Sequence, residues 1–286
     1  MKLAIKDRFN NMLSTNTALN TASDLNEKTK QLQKGNNLRL LRNLLIGSYA
    51  TMLLSFMASV FGYGSSSGYL LMTLATNFIG VLISNIIFVS FLKCTDHQKL
   101  TGEDVTLLLK KFLLQAVCAL LITLLQSFTN IILLQATIYI PTLNVLASIL
   151  TSLIFTMINA LIAFQIYDGT AKVKTLLSNA FSVFTQNWRS LLFMSMLFMA
   201  WSYVFSIAFT QLLYGHLQQQ QGINNIFHSL LQQHDYANFG KVNLFYLINY
   251  LVAGYLEIKI LLALAISYKS AFHSKKHKKQ KKTMRS

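Results

Sequence analysis

Glu257 and Lys259 suggest chemistry because they are the charged residues inside the last long apolar stretch of the chain. A carboxylate in the hydrocarbon core of a membrane costs several kcal/mol unless it is paired, hydrated or protonated. On a helix, Tyr246, Tyr250 and Glu257 share one face, whereas Lys259 lies about 200° around from Glu257 and cannot pair with it. These four residues form the candidate intramembrane polar site, either as the wall of a polar cavity or as a proton-sensitive site.

The depth of this site depends on where the last span ends. A span over residues 242–268 puts Glu257 near the middle of the membrane. A span that ends near Ile258 has about 17 residues and is also long enough to cross. Glu257 and Lys259 would then lie near the interface, with the Lys259 ammonium group extended towards water. The sequence leaves both interpretations open.

Transmembrane helices are the elements that would position these residues. The chain has 286 residues, of which 53% are hydrophobic and 12% are charged, against about 25% charged residues in soluble proteins. Several apolar runs reach about 20 residues, which is the length a helix needs to cross the hydrocarbon core. A single Pro and 12 Gly disfavour a turn-rich β protein. The predicted fold is an all-α, polytopic bundle of transmembrane helices.

Three regions are predicted along the chain. Residues 1–37 form a polar, basic arm, residues 38–268 form a membrane domain, and residues 269–286 form a polybasic tail. Six apolar stretches are predicted as spans, at about 44–61, 69–92, 112–134, 142–166, 190–214 and 242–268.

Lysine and arginine positions predict the orientation of the bundle. Of the 25 Lys and Arg residues, 23 fall on one side of a six-span arrangement, and Lys241 falls on the other. Positively charged loops stay in the cytoplasm, so both termini are predicted to be cytoplasmic. The net charge of +16 then indicates membrane orientation rather than nucleic-acid binding. The tail is predicted to contact anionic lipid head groups through Lys275, Lys276, Lys278, Lys279, Lys281 and Lys282.

Short segments at the cytoplasmic surface are predicted to be amphipathic interfacial helices. One begins at Gly102 and has two acidic residues in its first turn, where they favour a helix. Another covers residues 173–189, ahead of the span at 190–214. Residues 14–24 are predicted to be weakly ordered.

Small and polar side chains form stripes at helical spacing in several spans. We favour a packing role, because such stripes let helices approach closely and hydrogen-bond to each other. The alternative is a substrate path lined by these side chains and Glu257. The stripes comprise Ser48, Thr51, Ser55, Ser59, Asn77, Asn85, Gln126, Asn130, Ser148, Ser152, Thr156, Asn159, Ser195, Ser202 and Ser206.

The sequence has no motif of a soluble enzyme, such as GxSxG, a Walker loop, HExxH or CxxC. His216, His228 and His234 have spacings that match no compact metal motif. Cys94 and Cys118 are expected to be reduced and structural. The sequence therefore predicts no cofactor, no metal and no enzymatic activity.

Three features carry a resemblance to a known group of proteins. They are LQKGNNLRLLRNLLIGSY at the first span, the isolated Pro141, and LLSNAFSVFTQNWRSLLFMSMLFMAWSYVFSI leading into the fifth span. Together they resemble a group of uncharacterised six-span bacterial membrane proteins, distantly similar to the membrane domain attached to some glycerophosphodiester phosphodiesterases. The resemblance covers most of residues 30–270 and implies no catalytic residues. The chain departs from the usual Pro-Gly pair of this group, because Thr142 follows Pro141.

The sequence features favour two functional hypotheses. The leading hypothesis is a non-enzymatic protein of the bacterial plasma membrane, of an accessory, envelope or immunity type. It would act through contacts with lipids, with another membrane protein or with a second copy of itself. The alternative is a small transporter or permease component in which Glu257 lines the path.

The predicted orientation can be tested with reporters fused after Ser286. A fluorescent protein that matures in the cytoplasm is expected to be bright there, and a phosphatase that needs export is expected to be inactive, because the tail is predicted to be cytoplasmic. An active phosphatase fusion would overturn the topology.

Overall fold

All regular structure is helical in the computed structural model, which describes residues 15–61, 66–137, 141–170, 172–217 and 236–283. The predicted all-α class is confirmed. Helices satisfy their own backbone hydrogen bonds, as a lipid environment requires. The described helices are α1 Thr15–Gln33, α2 Asn37–Phe61, α3 Ser66–Cys94, α4 Gly102–Lys110, α5 Phe112–Thr137, α6 Pro141–Tyr167, α7 Val173–Leu217 and α8 Tyr236–Thr283.

Five of the described helices contain stretches long and apolar enough to cross a membrane. They overlap the second to sixth predicted spans, so the prediction of a multi-pass helical membrane protein is confirmed. The first predicted span, 44–61, lies in α2, where many side chains fall outside the described residues. The total of six spans and the cytoplasmic position of the termini stay predictions. The five stretches are Ala75–Cys94, Phe112–Ala136, Thr142–Tyr167, Val173–Ala208 and Leu247–Ala271.

Two helices are longer than the predicted spans within them. α7 has 45 residues and joins the segment 173–189, predicted to be a separate surface helix, to the fifth span. No Gly or Pro occurs between Val173 and Tyr214, so nothing in the sequence breaks this helix. α8 has 48 residues and continues through the last span into the basic tail.

The structure differs from the prediction of weak order at 14–24, because α1 is helical from Thr15 onwards. Leu25, Thr29 and Gln33 recur at a spacing of four residues and are all buried. This face of α1 packs against α7 and α8. Tertiary packing therefore stabilises a segment whose polar composition suggests disorder. Residues 1–14 of the arm lie outside the described residues.

The core of the bundle is built around the second half of the α8 span. Every residue from Ile260 to Ala265 is buried, as expected for a helix that is apolar on all sides. α8 contacts α1, α2, α3, α6 and α7. The ring centroids of Phe164 in α6 and Tyr268 in α8 lie 5.4 Å apart.

The core lies near the end of the bundle where α3 and α6 end and where α5 and α7 begin. We call this the basic end, because the loops that meet there contain most of the lysines between the spans. Lys111 Nζ donates to the carbonyl oxygen of Ile166 at 2.6 Å, which joins the start of α5 to the end of α6. Lys269 forms an ion pair with Asp96, which joins α8 to the loop after α3.

Gly47 is a point of close contact between α2 and α3. A Cβ atom there would overlap Ile87 Cδ1, whereas a Cβ at Gly80 would approach only Thr51 Cγ2, at 3.7 Å. We therefore expect Gly47→Leu to destabilise the protein by about 1–3 kcal/mol, as overpacking usually does. Gly80→Ala, the control, should change stability by less than about 0.5 kcal/mol. Thermal unfolding in detergent measures both, and equal stability of the two variants would contradict this packing.

Candidate functional site

Glu257 lies at the junction of two cavities inside the bundle. The large cavity, of about 540 Å³, lies between α2, α3, α5, α6 and α8. The small cavity, of about 380 Å³, lies between α6, α7 and α8. Among the described residues, Glu257 and Thr156 are the two that line both cavities. The carboxylate of Glu257 is thus accessible from either space.

Hydroxyl and amide side chains from five helices line these cavities, and Glu257 is the one formally charged group among the described lining residues. Cavities that remain dry are apolar, whereas a roomy polar cavity holds water or a polar solute. The polar lining is therefore suited to a hydrated ligand. It comprises Ser48, Thr51, Thr76, Asn77, Ser84, Asn85, Gln115, Thr123, Ser148, Ser152, Thr156, Asn159 and Ser202.

The Glu257 side chain is half-buried, and its neighbours on α8, Gly254 and Ile258, are buried. Its exposure is therefore to the cavities. No residue in the described part of the chain forms a hydrogen bond or an ion pair with the carboxylate. A carboxylate at such a position is neutralised or solvated by whatever the cavity contains.

Lys259 does not take part in this arrangement. Its Nζ atom lies 5.5 Å from the centroid of the Tyr255 ring, a cation–π distance. The Tyr255 side chain is 43% exposed on the outside of the bundle. The two charged residues of α8 therefore belong to different environments, and Lys259 lines neither cavity.

The two tyrosines proposed beside Glu257 are placed differently from it. The ring centroids of Tyr250 and Tyr49 of α2 lie 6.1 Å apart, and Tyr250 lines neither cavity. Gly254, one turn further on, packs against Leu41 of α2. This face of α8 is directed at α2, and it brings Glu257 to the large cavity. The side chain of Tyr246 lies outside the described residues.

The junction lies well inside the bundle. Glu257 precedes Tyr268 by 11 residues in α8, and Thr156 precedes Tyr167 by 11 residues in α6. At 1.5 Å per residue, both lie about 16 Å from these tyrosines along their helices. Both tyrosines donate hydrogen bonds to aspartates at the basic end. The junction is thus about 16 Å along the helices from the tyrosine–aspartate hydrogen bonds of the basic end.

Asp104 is the most strongly bonded of these aspartates. Its carboxylate accepts from the Tyr167 hydroxyl at 2.6 Å and from the Thr101 backbone N–H at 2.8 Å, and Lys93 Nζ lies 3.0 Å away. Burial alone would raise the pKa of Asp104, but these hydrogen bonds outweigh burial and lower the pKa to about 2. The carboxylate therefore stays ionised and anchors the first turn of α4 to the ends of α3 and α6.

α4 is also connected to the wall of the large cavity. Leu108 is fully buried, and its carbonyl oxygen accepts from Gln115 Nε2 at 2.7 Å. Gln115 Oε1 in turn accepts from Asn85 Nδ2 at 2.9 Å. Gln115 and Asn85 are lining residues of the large cavity. This chain of hydrogen bonds therefore joins the cavity wall directly to α4.

A second contact at the basic end joins α6 to α8. The Tyr268 hydroxyl donates to Asp168 Oδ2 at 2.7 Å. Sequence reasoning missed both tyrosine–aspartate contacts, because the partners are 63 and 100 residues apart. One signal was available, since each tyrosine occupies the end of an apolar stretch beside a charged residue.

The polar stripes divide between the two predicted roles. The stripe of α6, from Ser148 to Asn159, lines the cavities, and so do parts of those in α2, α3 and α7. Ser195 is fully buried and donates to the carbonyl oxygen of Leu191 at 2.6 Å, so it serves its own helix. Ser55 and Ser59 have side chains outside the described residues.

Other predicted sites are not joined to this one. The six tail lysines lie where the structure describes the helical backbone of α8 and not the side chains. The loop with His228 and His234 lies outside the described residues, as does the side chain of His216. Within the described residues, no group of three or more His, Cys, Asp or Glu residues is placed to hold a metal ion. Cys94 and Cys118 are buried and free.

Compared with models of protein families, with curated proteins and with solved structures, the chain matches none. The resemblance to six-span bacterial membrane proteins therefore stays a prediction.

Replacing Asp104 tests the anchoring of α4. A pKa lowered from 3.8 to about 2 corresponds to about 2 kcal/mol of stability from the ionised form. This stabilisation is present above the unfolded-state pKa and is lost as the pH falls from about 4 to about 2. We expect Asp104→Asn to lower the unfolding temperature at pH 7 and to reduce its fall on acidification.

The control is Glu103→Gln, which removes an exposed charge one residue away on α4. Its unfolding temperature and pH profile should match those of the wild-type protein in detergent. If Asp104→Asn gave the wild-type profile as well, Asp104 would not be the anchor described here.

Proposed function

We propose that this protein is a non-enzymatic, multi-pass protein of the bacterial plasma membrane that binds a small polar solute at Glu257 and passes it across the bilayer. It would act as a small transporter or as a component of a permease. The single observation that carries this proposal is the position of Glu257 at the junction of two cavities whose largely apolar walls include hydroxyl and amide side chains.

The energetic cost of Glu257 supports a functional role. A carboxylate in the interior of a membrane protein is destabilising by several kcal/mol unless something compensates for it, and no described side chain does so. A helix that served only to pack would be more stable with Leu at this position. Intramembrane carboxylates of this kind are typical of paths for ions and other polar solutes.

The extent of the large cavity along the helices supports a path. Gln115 lies three residues into α5 from the basic end, whereas Thr76 lies 18 residues before the end of α3. At 1.5 Å per residue, Thr76 is about 27 Å from the basic end along α3. The lining thus extends over most of the thickness of about 30 Å that a hydrocarbon core has.

α4 would close this path at the basic end. It has nine residues and is too short to cross a membrane. The contacts of Asp104 and Leu108 hold it against the helices around it, so these contacts would have to break for the path to open. A solute would enter from the opposite end, bind at Glu257, and leave when α4 moves aside.

The accessory, envelope or immunity-type role that the sequence favours remains the second candidate. The basic tail supports it, because clustered lysines attract anionic lipids. That role does not account for a carboxylate at the junction of two cavities whose walls include polar side chains. We therefore rank solute transport first, and assign the tail to membrane contact and orientation.

Solute passage can be measured by stopped-flow light scattering of vesicles that contain the full-length protein. Vesicles mixed with glycerol, urea, NaCl or KCl swell faster when the solute crosses through the protein. For the solute that passes, we expect Glu257→Gln to slow swelling by about tenfold or more, because a hydrogen bond to a charged group contributes about 1.5–3 kcal/mol. Glu103→Gln should retain the wild-type rate.

Equal swelling rates in protein-containing and protein-free vesicles for every solute, together with no entry of radioactive Na⁺ or Rb⁺, would overturn transport. A wild-type rate for Glu257→Gln would remove Glu257 from the path.

A further inference from the structure

The negative charge of Glu257, without a fixed positive charge beside it, indicates which solutes the junction can bind. The lining residues from α2, α3, α6 and α7 include no titratable side chain, and α5 contributes the Cys118 thiol. On α8, Lys259 is directed to the Tyr255 ring and Tyr250 to the Tyr49 ring. Arg39 and Arg42 flank the Leu41 of α2 that packs against Gly254, but neither lines a cavity or forms an ion pair with Glu257. No fixed positive charge among the described lining residues therefore neutralises Glu257.

A carboxylate without a fixed partner in a medium of low polarity is stable in two forms. It can be protonated, or it can hold a cation. A monovalent cation leaves the site neutral, as a proton does. A divalent cation would leave one uncompensated positive charge, because Glu257 is the single acidic group among the described lining residues.

The other groups at the junction are suited to a hard cation. Thr156 offers a hydroxyl oxygen, and Asn159 and Ser48 offer an amide and a hydroxyl oxygen in the wall of the large cavity. Alkali cations prefer such oxygen ligands to nitrogen or sulfur, as other hard cations do. A volume of about 540 Å³ also leaves room for water molecules, at about 30 Å³ each, so the cation can keep part of its hydration shell.

We propose that Glu257 binds a proton and a monovalent alkali cation alternately, so that the protein exchanges protons for Na⁺ or K⁺ across the membrane. The proposal rests on the proposed transport function and names its solute. In each exchange the O–H bond of the Glu257 carboxyl breaks, one proton leaves to the aqueous phase, and one cation takes its place. Both loaded forms are neutral, so one positive charge moves in each direction.

Coupling follows because one carboxylate cannot hold both ligands at once. A cation that binds displaces the proton, and a proton that binds displaces the cation. The ionised carboxylate without a ligand has the highest free energy. Glu257 therefore changes its access from one side of the membrane to the other with a proton or a cation bound. A gradient of one ion then drives the other in the opposite direction.

The test uses the full-length protein in phosphatidylcholine–phosphatidylglycerol vesicles that contain the pH-sensitive dye pyranine. Adding NaCl or KCl outside is expected to make the lumen more alkaline, because protons leave as cations enter. Choline chloride, whose quaternary ammonium cation has no acidic N–H proton and is too large to pair closely with one carboxylate, should leave the lumen pH unchanged. Entry of radioactive Na⁺ or the K⁺ analogue Rb⁺ is recorded in parallel.

Three variants distinguish loss of the Glu257 carboxylate from a general loss of folding. Glu257→Gln keeps the shape and should lower the rate of pH change to that of protein-free vesicles. Glu257→Asp keeps the charge and should retain exchange, and Glu103→Gln should match the wild-type protein. Unfolding temperature and size-exclusion elution establish that each variant is folded. If Glu257→Gln failed to fold, retained exchange in Glu257→Asp together with loss in Glu257→Ala would still support the assignment.

Each remaining result contradicts one proposal. Tracer entry without a change in lumen pH, or wild-type exchange in Glu257→Gln, overturns proton coupling but leaves transport intact. Swelling with glycerol or urea, without tracer entry, overturns the cation assignment and also leaves transport intact. If neither swelling nor tracer entry exceeds that of protein-free vesicles, the proposed function itself fails.

Discussion

An ionised side chain inside a membrane bundle needs water, a hydrogen-bond donor or an opposite charge within reach, and this requirement organises the whole chain. At the basic end, Asp104 is held by Tyr167 and Lys93, and Asp168 is held by Tyr268. Each contact joins helices that are distant in sequence. Glu257 is the acidic residue within the described spans that has no such partner, and at Glu257 the packing opens into cavities.

The change from cavity to core occurs within a single helix. From Leu262 to Ala265, α8 is fully buried and lines neither cavity, and there it holds the basic end of the bundle together. At Glu257 the same helix borders two cavities. A packed segment beside an open one is a suitable arrangement for a binding site, because the packed segment fixes the backbone that carries the carboxylate.

α4 is joined to the wall of the large cavity by side-chain contacts. It is anchored by the Asp104 contacts on one side and by the Leu108–Gln115 hydrogen bond on the other. Gln115 also belongs to the wall of the large cavity. A shift of this wall would therefore reach α4 through the hydrogen bond between Gln115 and Leu108. A transporter needs such a connection between its binding site and its closing element, whereas a protein that only occupied the bilayer would not.

The sequence by itself determined the helical class, the positions of five stretches that can cross a membrane, and the identity of the unusual carboxylate. Run length and charge placement are local properties, and lipid leaves a continuous apolar run of 20 residues one stable structure. The opposite faces of Glu257 and Lys259 also followed from helical geometry alone. The helix that includes residues 15–24 did not, because its described packing, through Leu25, Thr29 and Gln33, is against α7 and α8.

Only the tertiary structure decided which polar side chains meet. The stripe from Ser148 to Asn159 has the same spacing whether it packs against a helix or lines a cavity, and the choice depends on how closely the neighbouring helices approach. The Tyr167–Asp104 and Tyr268–Asp168 contacts have no local pattern, since their partners come together only when the spans assemble. Glu257 was visible in the sequence, but its junction position arises from six helices whose side chains leave two spaces around it.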